Sequence, residues 1–456
     1  MKVPSDQQAG EILVGQIGGR IVSIERQSRW RPTWFADVER DGAIERFVLR
    51  GDRPDSEAYP LRHEYTFHRM LEERDFPVPR LYGYVETPGT IDAFVTSFVP
   101  GVPHFDGVND ADRDQIVDEY VQQLAQLHAI DPTPFIEAGL VHPEPGENAG
   151  MVGHRHLEGK YRSRKAHCDP FAEFCLGWHH RHLPDARGRL APCISDTGQF
   201  HHENGHMVAI LDLEFGHVGD PMHDLTVWRM RDTLLHFGDM QKIYARYEAL
   251  SGEPVDLEAI KLHHFAGCMG NQLMFGAAVE HPMRDTDLMT FMQWNSETNL
   301  MATDFLCEYL GIEPPEVEIP ELREASHDPT FQQLIRSLGE VSTSDAHLEH
   351  EMRLAFRMAR HLRRRSEIGD VLDAADIEDV HALTGRKPVD WADAQQALEQ
   401  FVMADATVGR HDEALTVLFH KRNLRRHMSL GPRGSSMTRH YECQRFDGQP
   451  SRVVQL

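Results

Sequence analysis

The stretch CISDTGQFHHENGHMVAILDLEFGHVGDP, residues 193–221, decides how this chain is interpreted. It is typical of a strand, a turn and a second strand. Three aspartates, Asp196, Asp212 and Asp220, stand at the ends of its apolar segments. Two explanations compete for them. Aspartate is a common turn residue, but carboxylates brought together by a hairpin can also share a metal ion and a phosphate group.

The composition allows two or three domains with substantial cores, because the chain has 456 residues and is 40% hydrophobic. We expect no membrane-spanning helix, since no apolar run reaches about 18 residues. The opening segment MKVPSDQQAGEILVG lacks the apolar stretch of a signal peptide. Six cysteines occur without a CxxC pair, which favours a reducing cytoplasmic location.

The formal net charge of -25 argues against general nucleic-acid binding, which needs clustered lysine and arginine. Two local basic runs, RMARHLRRR (357–365) and KRNLRRH (421–427), are interpreted as solvated helix faces. The 29 histidines, with HHRH (179–182) and FHHENGH (200–206), raise the alternative of a metalloprotein. Their spacing gives no clean zinc pattern.

The first hundred residues predict a small sheet with one helix. Residues 12–50 are rich in β-branched and aromatic residues, and Asp41-Gly42 is a strong hairpin signal. Residues 58–81 then change to a helical period that Pro77 and Pro79 end. The segment IDAFVTSFVPG (91–101) predicts one further strand.

Helical patterns dominate from residue 110 onward. One apolar stripe comprises Val117, Tyr120, Val121, Leu124 and Leu127. Residues 135–165 are predicted to be a long loop or insertion, and residues 169–184 a short helix that Pro184 ends. Further helices are predicted within 222–311 and 321–428, and the last thirty residues are expected to be loosely ordered.

Taken in order, the small sheet, the helix with a glutamate, the linker strand, the helical region and the Asp-hairpin-Asp segment resemble the aminoglycoside phosphotransferase family. These are small-molecule kinases with a protein-kinase-like fold. The resemblance covers roughly residues 12–310 and is strongest over 194–225. Asp196, Asp212, Gly219-Asp220-Pro221 and Asp224-Leu225 follow the family order. Ile194 and Ser195 replace the family's histidine and glycine.

The resemblance implies a role for each polar residue of the hairpin. Asp196 would orient the acceptor hydroxyl and take its proton, and Asp212 would bind Mg²⁺. Gln199 would offer its amide to the metal in place of the family's asparagine. Asp220 and Asp224 are expected to cap nearby backbone. Glu214 is either a second metal contact or an exposed residue.

The same resemblance assigns the nucleotide side to the N-terminal sheet. Arg50 stands where the family has a lysine that contacts the α- and β-phosphates, and Glu64 would hold it in place. An arginine there is familiar in a subgroup resembling the domain attached to some acyl-CoA dehydrogenases. The linker FVTSFVPG (94–101) would bind adenine through backbone between Ser97 and Val99, although its apolar residues equally suit a core.

Residues 24–38, IERQSRWRPTWFADV, replace the glycine-rich phosphate loop. Without glycine, backbone amides cannot approach a phosphate as closely. Arg29 or Arg31 could supply side-chain contacts, and Trp30 could cover the nucleotide. The alternative, that this loop binds a partner, stays open.

The fold predicted is therefore α+β: a bilobal protein-kinase-like fold with an extra C-terminal helical region. The predicted domains are an N-lobe at 1–101, a helical C-lobe at 102–320 and a helical extension at 321–456. The first functional hypothesis is an ATP- and Mg²⁺-dependent kinase that phosphorylates a small-molecule hydroxyl. The second is a catalytically silent kinase-fold protein that binds a ligand or partner.

The acceptor itself is left open between an amino sugar, an amino alcohol and a hydroxyacyl thioester. Residues 140–165, residues 178–184 and the methionines at 269, 274 and 289 are candidates to line its site. Methionines at helical spacing are more often core residues. No nucleic-acid or membrane partner is expected, and the C-terminal helices could form a homodimer.

Overall fold

The computed structural model describes residues 3–27, 31–52, 59–87, 89–184, 188–283, 286–323 and 328–456. The loop positions Ser28, Arg29 and Trp30 lie outside these ranges. By their contacts the described residues form two compact units. The first comprises Met1–Arg155 with Asp185–Ile260, and the second comprises His156–Pro184 with Lys261–Leu456. The predicted division at residues 101 and 320 stays a prediction.

An antiparallel five-stranded sheet with the order β1-β2-β3-β5-β4 begins the first unit. Its strands are β1 (Arg20–Arg26), β2 (Thr33–Arg40), β3 (Ala43–Gly51), β4 (Leu81–Val85) and β5 (Ala93–Ser97). The predicted hairpin is present, since Arg40 pairs with Ala43 and both Asp41 and Gly42 have positive φ. The sequence analysis missed β4, which pairs with β5.

Two helices accompany this sheet. Residues 12–17, predicted as strand, belong instead to helix α1 (Asp6–Ile17). A capping box between Ser5 and Gln8 starts α1, and its Ala9 and Leu13 are buried against the sheet. The predicted second helix is present as α2 (Leu61–Glu72), and its buried residues include Glu64.

The remainder of the first unit carries two small two-stranded sheets and several helices. The elements with their bounds are α3 (Asp110–His128), α4 (Thr133–Glu137), β6 (Ala191–Cys193), β7 (Phe200–Glu203), β8 (His206–Ile210), β9 (His217–Gly219), α7 (Val227–Leu235) and α8 (Met240–Ser251). Strand β6 pairs with β9, and β7 pairs with β8. The predicted apolar stripe of α3 is buried throughout.

Two more helices include residues of both units, α5 (Val152–Arg164) and α9 (Leu257–Glu280). Helix α5 corrects the prediction of a continuous loop over 135–165. Its sequence is poor in apolar residues, so it gives little periodic signal. Short 3-10 turns occur at Ala149–Met151, Pro221–His223 and Ser436–Thr438.

The second unit is mainly helical. Its elements are α6 (Pro170–Arg181), α10 (Leu288–Leu310), α11 (Asp328–Gly339), α12 (Ala346–Thr384), α13 (Trp391–Asp405), α14 (Asp412–Met428), β10 (Arg439–Tyr441) and β11 (Val453–Gln455). Helix α14 packs against α10, α12 and α6. Because α14 is enclosed in this way, its segment KRNLRRH is not the solvated face that was predicted: Arg422, Asn423 and His427 are buried.

The chain terminus is also more ordered than predicted. Strands β10 and β11 pair, and Leu456 belongs to a core cluster with Leu300, Leu372 and Met428. The prediction of an α+β fold with a small antiparallel N-terminal sheet, a helical part after it and additional C-terminal helices is confirmed. Among the described residues, no helix is both long enough and apolar enough to cross a bilayer.

Candidate active site

Asp196 and Asp212, the two carboxylates predicted to share a site, are joined by one side-chain amide. Gln199 donates from Nε2 to Asp196 Oδ2 at 2.6 Å and to Asp212 Oδ2 at 2.9 Å. Asp196 follows β6 and Asp212 follows β8, where the chain takes a left-handed turn with φ 60° at Asp212. The structure therefore brings all three residues together at one end of the β7–β8 hairpin.

Asp224 braces the loop that carries Asp196. It accepts hydrogen bonds from the backbone N–H groups of Ile194 and Ser195, both at 2.7 Å. His128 of α3 contacts Asp224 through Nε2 at 3.1 Å. Burial alone would raise the pKa of Asp224, but these hydrogen bonds and His128 lower it. Asp224 thus holds in place the two loop residues that precede Asp196.

The predicted capping role of Asp220 also matches the structure, since its carboxylate accepts from Met222 N–H at 3.0 Å. The histidines of the FHHENGH segment have protein partners as well. His201 contacts backbone carbonyls at Val99 and Pro100, His202 contacts His104 O, and His206 contacts Glu119. These contacts give each of the three a structural role that requires no metal.

Arg50 and Glu64 form the predicted pair, with Arg50 Nε 2.8 Å from Glu64 Oε1. Arg50 also donates from Nη2 to Asp212 Oδ1 at 2.6 Å. Burial would raise the pKa of Asp212, but Arg50, supported by Arg31, holds the pKa well below its usual range. Asp212 is therefore fully ionised at neutral pH, as a carboxylate ligand of a hard cation must be.

The side chain of Arg31 has a different role from the one expected from the sequence. It was considered as a phosphate contact, yet its side chain is buried and bonded within the protein. Nη2 donates to Glu64 Oε2 at 2.7 Å, Nε donates to Gly51 O at 3.0 Å, and Nη1 pairs with Glu214. Glu214 is accordingly buried and ion-paired rather than exposed. Nothing local in the sequence signals these pairings, which join residues far apart in the chain.

Arg231 of α7 is a second residue that sequence reasoning missed. It donates from Nη2 and Nε to Asp196 Oδ1, at 2.5 Å and 3.2 Å. Gly198 leaves the room that this arginine needs: a Cβ at residue 198 would lie 3.1 Å from Arg231 Cδ. Burial raises the pKa of Asp196 and the charge of Asp212 adds to the rise, while Arg231 opposes it. The net shift is upward.

A cavity of about 450 Å³ opens beside these side chains, within the first unit. Its walls include Phe35, Val48, Arg50, Glu64, Phe94, Ser97, Val99, Gln199, Ile210, Asp212 and Arg231. The predicted residues of the nucleotide side and the metal side therefore line one space. Its lining combines apolar side chains with charged ones, which suits a ligand with a flat base and an anionic tail.

The linker backbone is only partly available for such a ligand. Ser97 N–H donates to Arg80 O at 2.8 Å and Phe98 N–H donates to Arg46 O at 3.1 Å. Val99 O faces His201 Nδ1 at 3.3 Å. In the described part of the chain we find no acceptor for Val99 N–H. Of the backbone donors between Ser97 and Val99, Val99 N–H is therefore the one without an acceptor in the described ranges.

The residues suggested to line the acceptor site are divided between the two units. Residues 178–184 and the three methionines lie in the second unit. Met269 and Met289 are buried, and Trp178 packs against Phe265, as core residues do. The acceptor-lining role of these residues stays a prediction.

Comparison with known proteins points in one direction. Residues 25–234 match the phosphotransferase enzyme family. The matched segment is just under half of the chain and contains every residue predicted for the catalytic, nucleotide and metal positions. The assignment to the subgroup attached to acyl-CoA dehydrogenases stays a prediction. A search of curated proteins finds no match.

Solved structures similar to the chain include three phosphotransferases. Spectinomycin phosphotransferase APH(9)-Ia, in complex with ADP and spectinomycin, is 12% identical over 65% of this chain and 95% of its own, with a TM-score of 0.48. Macrolide 2'-phosphotransferase MphH from Brachybacterium faecium is 18% identical over 67% and 98%, with a TM-score of 0.44. A thermostable mutant of aminoglycoside phosphotransferase APH(4)-Ia is 13% identical over 59% and 92%, with a TM-score of 0.42.

Proposed function

We propose that the protein is an ATP- and Mg²⁺-dependent kinase that transfers the γ-phosphoryl group of ATP to a hydroxyl of a small molecule. The observation that supports this most is the cluster of Asp196, Gln199 and Asp212 beside the cavity that Arg50 and Val99 line. Phosphoryl transfer needs positioning and charge neutralisation more than covalent chemistry. The family match over 25–234 supports the same reaction class.

The nucleotide would occupy the cavity with its base outward and its phosphates inward. Phe35, Val48 and Ile210 offer apolar surface for the adenine, and Val99 N–H offers a backbone donor. Arg50 supplies a permanent positive charge for the phosphates. The hydrogen bond from Arg50 to Asp212 would open to admit the nucleotide. Glu64 would keep the Arg50 guanidinium in place meanwhile.

The donor set at the inner end fits a magnesium ion. Asp212 offers an ionised carboxylate. Gln199, whose Nε2 donates to Asp212 here, would offer its amide oxygen once the side-chain amide turns over. Carboxylate and amide oxygens are hard ligands of the kind that Mg²⁺ prefers. When bound, the ion would neutralise charge on the β- and γ-phosphate oxygens. Asp212 and Gln199 would hold it.

Asp196 would orient the acceptor hydroxyl and accept its proton. The carboxylate is fixed by Arg231 on one oxygen and by Gln199 on the other. Arg231 also brings a positive charge to the place where the phosphoryl group must arrive. Such a charge stabilises a transition state that spreads negative charge over the transferred group.

One observation favours the alternative of a silent kinase-fold protein. Each of the two key carboxylates already has an arginine partner, Arg50 for Asp212 and Arg231 for Asp196. In a binding protein these pairs would be permanent structural contacts. In a kinase the Arg50–Asp212 pair must exchange for phosphates and metal.

Calorimetric titration with ATP, with and without Mg²⁺, separates the two functions. The kinase requires binding that depends on the metal, followed by ADP release on screening hydroxyl acceptors. Asp196→Asn should reduce transfer by about 10²- to 10⁴-fold and leave ATP binding intact. Asp212→Asn should weaken Mg·ATP binding itself, and Asp114→Asn on the exposed surface of α3 is the matched control. Failure of a folded sample to bind ATP would favour the silent alternative.

A cytoplasmic location agrees with the six cysteines, all of which are free thiols. The acceptor is proposed to be a small metabolite or an antibiotic-like molecule. A homodimer through the C-terminal helices stays a prediction, and sedimentation of the full chain tests it.

A further inference from the structure

Two neighbouring cavities lie within the second unit, with volumes of about 270 Å³ and 420 Å³. Both are lined by Gln272, Glu280, Trp391 and Arg426. We name the joined space the basic pocket. The active-site cavity lies in the first unit, so the basic pocket is a separate place in the chain.

Arg422 is the unusual residue of this pocket. It is 3% exposed, and its guanidinium lies over the ring of Trp391 at 4.5 Å. Its Nε and Nη2 have no hydrogen-bond partner among the described residues. The nearest carboxylate oxygen, on Asp376, is 3.6 Å from Nε, beyond good hydrogen-bond distance. A buried guanidinium whose N–H groups lack acceptors is unfavourable unless a bound anion accepts their hydrogen bonds.

The buried and half-buried carboxylates of the pocket already accept hydrogen bonds within the protein: Asp169 accepts from Gln272, Asp373 from Arg365 and Asp376 from Arg425. The KRNLRRH segment of α14 places Lys421, Arg422, Arg425 and Arg426 close together, facing two aspartates of α12. Arg425 bonds to both Asp376 and Asp379, each at 2.6 Å. Within the described ranges no ion pair involves Arg426. Two guanidinium groups, those of Arg422 and Arg426, are therefore left without a hydrogen-bonded carboxylate.

The pKa of Arg422 is lower than is usual for an arginine, and burial is the largest cause. Burial lowers it, and Arg426 and Arg425 lower it further, to about 9. Asp376 and Asp169 act in the opposite direction without restoring the usual value. A bound anion would remove the repulsion between these arginines.

The other basic run, RMARHLRRR of α12, contributes to the same pocket through His361 and Arg365. Arg365 pairs with Asp373 at 2.8 Å. The amide oxygens of Asn295 and Asn299 also line the pocket and lack partners among the described residues. Glu280 is exposed, so solvent screens its charge. The pocket thus offers cationic donors and neutral acceptors, beside carboxylates that already have hydrogen-bond partners.

We infer that the basic pocket binds a small phosphate monoester that also carries a hydroxyl group. Two guanidinium groups without a hydrogen-bonded carboxylate match the double charge of a phosphate monoester, which guanidinium donors bind in a bidentate manner. The free amide oxygens of Asn295 and Asn299 would accept from the hydroxyl. Trp391 would keep the Arg422 guanidinium in its position over the indole ring while the ligand binds.

The inference is tested by calorimetry on the full chain, titrated with inorganic phosphate and with glycerol 2-phosphate at constant ionic strength. We expect saturable binding of both, and tighter binding of the ester. Arg422→Met and Arg426→Met should each weaken it at least about tenfold. Arg353→Met, which removes an exposed arginine of α12, should leave it unchanged.

Arg50→Met distinguishes this pocket from the candidate active site. It should leave phosphate binding unchanged; loss of binding with Arg50→Met but not with Arg422→Met would place the phosphate elsewhere and overturn the inference. Absence of binding by either probe would overturn it as well. Arg426 is only partly buried, so Arg426→Met provides the test should Arg422→Met fail to fold.

Discussion

Arg231 donates two hydrogen bonds to a single oxygen of Asp196, from Nη2 at 2.5 Å and from Nε at 3.2 Å. The two residues are 35 positions apart, and the arginine comes from α7. Arg231 therefore acts on the proposed base in two ways. Its hydrogen bonds orient the carboxylate, and its charge lowers the pKa of Asp196 against the rise that burial causes.

Replacing Arg231 should change the pH profile of the reaction. Burial raises the pKa of Asp196 and Arg231 opposes the rise. Without the arginine the pKa rises further, so the ionised base appears only at higher pH. We expect Arg231→Gln to move the acid limb of kcat/KM to higher pH and to lower kcat. Steady-state ADP release measured across a pH series checks this.

Arg231→Lys keeps the charge and serves as the conservative control. It should restore the position of the acid limb more than it restores kcat, because lysine lacks the paired donor geometry of a guanidinium. An acid limb at the same pH in wild type and Arg231→Gln would show that Arg231 does not set the ionisation of the base.

Replacing Arg31 should lower the stability of the fold, whatever its effect on catalysis. Its guanidinium is buried and pairs with the buried carboxylates of Glu64 and Glu214. Removing one partner of a buried pair leaves an uncompensated charge and typically costs about 3–5 kcal/mol. We expect Arg31→Gln to lower the free energy of unfolding by about this amount in urea denaturation.

The matched comparison is Arg20→Gln, which breaks an exposed ion pair with Glu39 on the same sheet. Exposed pairs contribute less than about 1 kcal/mol, so this variant should resemble wild type. Adding Glu214→Gln to Arg31→Gln should recover part of the loss, since it removes one of the stranded charges. Equal stability of Arg31→Gln and Arg20→Gln would contradict the buried network.

The sequence was informative where the chemistry is local in the chain. Asp196, Gln199 and Asp212 lie within 17 residues, and the hairpin that joins them has a strong pattern. Arg50 and Glu64 are similarly close and form the predicted ion pair. These residues could be placed because their order along the chain, at strand ends and on one helix, resembles that of a known family.

What the sequence could not give is contact between distant segments. Arg31 and Glu214 are 183 positions apart, and no local pattern connects them. The charges of the KRNLRRH segment predict a solvent-exposed helix face, yet α6, α10 and α12 pack against α14. Residues 12–17 were predicted as strand but are helical, because the capping box of Ser5 and Gln8 starts α1 before them.

His440 should make the stability of the second unit depend on pH. Burial would lower its pKa, but Asp304 at 2.7 Å and Glu297 at 3.2 Å raise the pKa to about 10. A raised pKa in the folded state adds stability that is complete below the unfolded value of 6.5 and is lost as pH rises toward 10. We expect the unfolding free energy to fall by up to about 1.4 kcal/mol per pH unit across that window.

His440→Gln should remove this slope, and His206→Gln, at an exposed histidine of the first unit, should keep it. The neighbouring His427 acts with the opposite sign, since burial lowers its pKa and protonation below pH 6.5 disfavours the fold. Thermal unfolding over a pH series should therefore show greatest stability near neutral pH. A flat profile between neutral and alkaline pH in the wild type would rule out the charged state of His440.

Gly198→Ala should lower activity as replacing Arg231 does, although the variant keeps the arginine in the sequence. A Cβ at this position would lie 3.1 Å from Arg231 Cδ and 3.2 Å from a ring atom of Phe237. Phe237 is buried, so the flexible arginine must move, and its bonds to Asp196 weaken. We expect kcat to fall in the direction of Arg231→Gln, with ATP binding by calorimetry unchanged.

Gly198 also has φ of 83°, where alanine is strained in any surroundings by roughly 1–2 kcal/mol. Gly205→Ala controls for this strain, because Gly205 has φ of 81° and its Cβ would meet Asp112 only at 3.5 Å. Both variants should lose similar stability in urea, and only Gly198→Ala should lose activity. If both lose activity equally, backbone strain in the β7–β8 region is the cause and the contact between Gly198 and Arg231 is not.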